Sequence, residues 1–65
     1  MNIDYEIHNG TIKSLVDVVD DKKIAIKIAC QYFIKHPDHE YYVMECISQN
    51  GIITDRKEIY STNPR

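Results

Sequence analysis

Between Asp21 and Lys35 the chain reads DKKIAIKIACQYFIK, and its apolar positions recur in rows four residues apart, the spacing that places side chains on one face of a helix. Three of the four rows are apolar: Ile24, Ile28 and Tyr32; Ala25, Ala29 and Phe33; Ile26, Cys30 and Ile34. Only Lys23, Lys27, Gln31 and Lys35 make a polar row. An ordinary surface helix buries one stripe, so an apolar arc this wide calls for two covering surfaces. The chain's own sheet supplies one of them. The row Ile26, Cys30 and Ile34 is left for another chain. Asp20 stands where a side chain can cap the first turn, and Pro37 ends the helix by disfavouring the helical conformation at His36.

On either side of the helix the period drops to two. Ile3, Tyr5 and Ile7 alternate with Asn2, Asp4, Glu6 and His8, the pattern of a half-buried strand, and Asn9-Gly10 follows as a signal for a two-residue type I′ turn. A turn of that kind opposes Ile7 to Ile12, Ile3 to Val16 and Glu6 to Lys13 in a hairpin of residues 2–8 with 11–19. Residues 40–48, EYYVMECIS, are apolar on both faces, as an interior strand requires. Asn50-Gly51 signals a second type I′ hairpin, which opposes Glu45 to Arg56, Ile47 to Thr54 and Tyr42 to Ile59. The closing strand, 52–60, is charged in its middle, as befits a protected edge. The expected fold is therefore α+β in the order ββαββ: an antiparallel sheet of two hairpins with one helix packed on a face. It forms a single domain over 1–61, and 62–65 are read as a flexible tail.

Size changes what this pattern implies. In a chain of 65 residues a single core supplies only a few kcal/mol, so such domains commonly lean on disulfides, metals or a partner chain. The layout leaves one sheet face and one side of the helix uncovered, and a homodimer through Ile26, Cys30 and Ile34 is the expected remedy. Cys30 and Cys46 sit on apolar rows, where free cysteine acts as a small hydrophobe. The chain opens without the basic-then-apolar pattern of a secretory signal and has no apolar run long enough to span a bilayer. Those two features give a cytoplasmic expectation and favour reduced thiols.

The net charge of −2 conceals a segregation. Asp4, Glu6, Asp17, Asp20 and Asp21 face one base, Lys13, in residues 1–21, whereas 22–35 carry four lysines and no acid. Acids before a helix and bases along it complement its dipole, so the pattern needs no ligand to explain it. The row Lys23, Lys27 and Lys35 nevertheless offers a second reading, as a nucleic-acid surface.

No chemistry stands out. His36, Asp38 and His39 lie in a loop with no further conventional ligand pair near them, so neither metal nor cofactor is assigned. No serine elbow or glycine-rich phosphate loop occurs, and no histidine arrangement accompanies either cysteine. The chain is read as no enzyme. Tyr41, Arg56 and Tyr60 are taken as a partner-binding surface, since aromatics and arginine are enriched among interface anchors.

The helix with its paired alanines, followed by a strand, a glycine hairpin and a final tyrosine, is similar in outline to small bacterial ββαββ domains. The scale and acidic make-up also resemble the compact dimeric proteins that bacteriophages carry to inhibit host proteins, defence systems included. These resemblances imply a homodimeric, protein-binding inhibitor or regulator and assign no residue.

Overall fold

A computed structural model describes residues 1–62. Its elements are β1 (Asn2–Asn9), β2 (Ser14–Val19), α1 (Lys22–Lys35), β3 (Tyr41–Gln49) and β4 (Ile52–Ser61). All strand pairs are antiparallel and the order across the sheet is β2-β1-β3-β4. The predicted ββαββ fold is thus the observed one, with the two hairpins joined through β1 and β3. No helix among the described residues is long and apolar enough to cross a membrane.

The core lies where α1 crosses the two central strands. Ile7 of β1 and Tyr41 and Val43 of β3 meet Ala25 and Ala29, and all five are buried. The two alanines let the helix backbone approach the sheet closely. Val16, Val19, Ile28, Phe33, Ile59 and Tyr60 close the rim around them. One of the three apolar rows therefore faces the sheet squarely, and the other two form its flanks.

The two turns differ, although both carry Asn-Gly. At the second, Asn50 and Gly51 have φ of 55° and 79°, as the predicted two-residue turn demands, and Gln49 faces Ile52. The register then slips at two β-bulges, whose extra residues are Thr54 and Ile59, so that Glu45 opposes Lys57 and Ile47 opposes Asp55. The predicted partners of Glu45, Ile47 and Tyr42 are each displaced by this slip.

The first turn departs from expectation altogether. Asn9 ends β1, and its buried side chain accepts hydrogen bonds from the amides of Thr11 (3.0 Å) and Ile12 (3.2 Å), organising a four-residue loop that closes on Lys13 at φ 57°. Ser14 faces Asn9, Leu15 faces His8, and a bulge at Val16 brings Asp17 opposite Ile7. The pairs Ile7–Ile12, Ile3–Val16 and Glu6–Lys13 do not form. Gly10 is needed here for space and not for a positive φ. A Cβ on it would lie 3.0 Å from Glu40 Oε1 and 3.3 Å from Tyr42 Cε1, while its amide donates to the Glu40 carbonyl at 2.9 Å.

The helix is capped by Asp21 instead of Asp20: Asp21 Oδ1 accepts the Ile24 amide at 3.0 Å. Asp21→Ala is expected to lower the unfolding free energy by about 1 kcal/mol, within the usual range for a lost N-cap. Asp20→Ala should stay within the scatter of a urea titration. Both edge strands are blunted. The exposed Val18 amide is occupied by the Asp17 carboxylate at 2.8 Å, and β4 is bent by its two bulges. At the C-terminal end β4 reaches Ser61, one residue past the predicted limit. The Thr62 amide then donates to the Tyr41 carbonyl at 2.9 Å, and Thr62 Oγ1 accepts the Tyr41 amide at 3.0 Å. Thr62 thus belongs with the sheet, and the remainder of the predicted tail, 63–65, lies outside the described residues.

Candidate functional site

The outer face of the sheet, away from α1, is covered by its own polar side chains. In-register pairing lines up Glu6 with Met44, His8 with Tyr42, and Cys46 with both Asp4 and Arg56. The His8 ring stacks on Tyr42 at 5.0 Å and meets Glu6 Oε1 through Nε2 at 2.9 Å, while the Arg56 guanidinium reaches across β3 to the same carboxylate. The side chains of Glu6 and His8 are each only 19% exposed. The face predicted to need a partner is thus largely closed from within. On the helix side, beyond the core, a second ladder of Tyr5, Glu45 and Lys57 does the same. Tyr5 donates to Glu45 at 3.3 Å and Lys57 pairs with it at 3.6 Å.

These networks set protonation. The hydrogen bond from His8 holds the Glu6 carboxyl below its ordinary range, opposed by burial and aided by the charge of Arg56. A carboxyl depressed in the fold stabilises it above the unfolded carboxyl's range, and that contribution is lost as pH falls through the folded value. The melting temperature of the native chain should therefore fall on acidification below about pH 4.5, and Glu6→Gln should make that acid limb shallower. Equal acid limbs in a Tm series would sink the assignment. Burial pushes the Cys46 thiol up, with Arg56 pulling against it, so Cys46 lacks the thiolate character of a nucleophile.

The predicted site residues are dispersed. Tyr41 is 2% exposed and belongs to the core, so it cannot serve as a surface anchor. Tyr60 packs on the helix side, where its hydroxyl lies 3.0 Å from Cys30 Sγ; that contact and burial push the phenol up. Arg56 lies on the opposite face, held to Glu6. The three form no common surface: strict alternation along β4 would put Arg56 and Tyr60 on one face, and the bulge at Ile59 separates them. Of the predicted dimer row, Ile26 and Cys30 are half-buried, Cys30 against Tyr60 of β4, and Ile34 alone stands out, 77% exposed. Cys30 and Cys46 are free thiols on opposite faces of the sheet. Lys23, Lys27 and Lys35 are exposed as expected, and so is Lys22.

One apolar surface is formed by residues the sequence did not single out. The loop after β1, the start of β2 and the last turns of α1 enclose an open cleft of about 250 Å³, lined by Ile12, Leu15, Val16, Tyr32, Tyr41 and the rings of His36 and His39. Ile12 is 61% exposed, Leu15 55%, and Tyr32 is also exposed, its ring tilted against Tyr41 at 5.7 Å. Asn9 forms the hinge of this end. Its oxygen is committed to two backbone amides, so its NH₂ donates to His39 Nδ1 at 3.0 Å, and Thr11 Oγ1 accepts the Glu40 amide at 2.9 Å. The His36 and His39 rings lie 5.9 Å apart, and among the described residues no group of three or more His, Cys, Asp or Glu is arranged to hold a metal. The available signal for this cleft was weak: a four-residue loop moves Ile12 out of the hairpin, and that is not written in the period-two pattern.

Fold and surface together define a small ββαββ domain with an open apolar cleft at one end and a lysine-bearing helix on one side. No family model matches the chain, and no curated protein and no solved structure matches it.

Proposed function

We propose that this protein is a non-enzymatic regulator or inhibitor that acts by binding another protein, and that it does so as a homodimer joined at the cleft between β2 and the end of α1. The observation that carries the reading is the cluster of exposed Ile12, Leu15 and Tyr32 around that cleft. Apolar surface gathered in this way is a usual mark of an interaction site. A second copy is favoured over edge-to-edge extension because both edge strands are blunted. It is favoured here over the row of Ile26, Cys30 and Ile34 because Ile26 and Cys30 are already half-buried, Cys30 against Tyr60, while Ile34 stands beside lysines that would meet like charges.

Light scattering tests it. The native chain is expected to have twice the chain mass, and Leu15→Glu should give a folded monomer because Leu15 lies outside the buried core. Ile34→Glu should leave the dimer intact. A native monomer, or a dimer broken by Ile34→Glu and not by Leu15→Glu, would overturn the assignment of this surface.

A further inference from the structure

We infer that the solvent-facing side of α1 is a docking surface for the phosphate backbone of a nucleic-acid duplex. Lys22, Lys23, Lys27 and Lys35 are all exposed, and no acid interrupts residues 22–35. None of the four makes an ion pair with any described residue, whereas Arg56 and Lys57 of the sheet are both paired. Lys13 is the other basic side chain without an ion pair among the described residues, so most of their unneutralised positive charge sits on one helix. Asp4 and Glu6 lie on the outer sheet face and Glu45 on the ladder beside the core, while the acids nearest the helix stand at its ends and edge: Asp20 and Asp21 before the first turn, Asp17 beside Gln31 and Lys35, and Asp38 after the last turn. The middle of the solvent-facing side, around Lys23 and Lys27, carries no acid.

The residue type selects the partner. Lysine is depleted from the cores of protein interfaces, where arginine and aromatic side chains dominate. It serves well as a mobile point charge for phosphate. From Lys23 to Lys35 the helix rises about 18 Å at 1.5 Å per residue. A duplex presents a charge about every 1.7 Å of its axis, so each lysine along that length finds a phosphate without exact register. A second copy docked helix to helix would set lysine against lysine. The basic helix and the apolar cleft are thus separate surfaces with separate partners.

The test is binding of a fluorescently labelled 20-base-pair DNA duplex, followed by anisotropy between about 20 and 200 mM salt. With three to four lysine contacts the plot of log affinity against log salt should have a slope of about −2.7 to −3.6. The triple variant Lys23→Glu, Lys27→Glu, Lys35→Glu, shown by circular dichroism to be folded, should lose detectable binding. Lys13→Glu, off the helix, should bind as the native chain does. Absence of binding at 20 mM salt overturns the inference, as does affinity unchanged in the triple variant. Binding of polyglutamate without binding of the duplex also overturns it and assigns the face to an acidic protein. Leu15→Glu separates the two readings: a monomer that still binds DNA upholds this inference whatever becomes of the cleft.

Discussion

Tyr41→Ala is expected to lower the unfolding free energy by about 3 to 5 kcal/mol, the range for removing a large aromatic ring from a packed core. Tyr41 sits at 2% exposure between Ile7, Val43 and the two helix alanines, with Tyr32 against its ring, and its backbone holds Thr62 at the end of the sheet. A domain of 65 residues has only about 3 to 10 kcal/mol to lose. Much of the variant should therefore be unfolded at 25 °C, seen as lost far-ultraviolet ellipticity and an early urea midpoint. Tyr41→Phe, which keeps the ring, should stay within about 1.5 kcal/mol of the native chain. If Tyr41→Ala remained as stable as the native protein, Tyr41 would be the surface anchor its sequence context suggested, and the core would have to be drawn elsewhere.

That contrast shows where the sequence was legible. The period of four from Ile24 to Ile34 and the period of two around Tyr5 and Val43 report which backbone geometry hides apolar groups, and they led to the right element order and to the central place of β3. Asn50-Gly51 was equally readable because its positive φ values are a local property. Asn9-Gly10 was not. There the longer loop is tied at long range, by the Gly10 amide donating to the Glu40 carbonyl and by His39 accepting from the Asn9 amide. Likewise, Arg56 faces away from Tyr60 because of a bulge at Ile59, and no alternation pattern encodes a bulge. The cleft around Ile12 was not legible for the same reason. Its residues lie where local geometry departs from the regular period.

Asn9→Ala tests that long-range control, with an expected loss of about 1 to 3 kcal/mol, the range for leaving buried hydrogen-bonding groups without partners. Asn9 is 4% exposed, and its side chain is shared by the Thr11 and Ile12 amides and the His39 ring, so one substitution releases both loops that wall the cleft. Asn9→Asp separates the parts. It keeps the acceptor for the two amides and sets an oxygen, in place of the donor, against His39 Nδ1, which the other imidazole tautomer meets by donating. Hydrogen exchange at Thr11 and Ile12 should therefore quicken in Asn9→Ala and stay slow in Asn9→Asp, and the 36–40 loop should loosen in Asn9→Ala alone. Should Asn9→Ala match the native chain in urea stability and in exchange at these amides, the hinge is not what shapes this end of the molecule. If instead it exchanges as expected and the proposed dimer weakens with it, the cleft owes its form to a single buried amide.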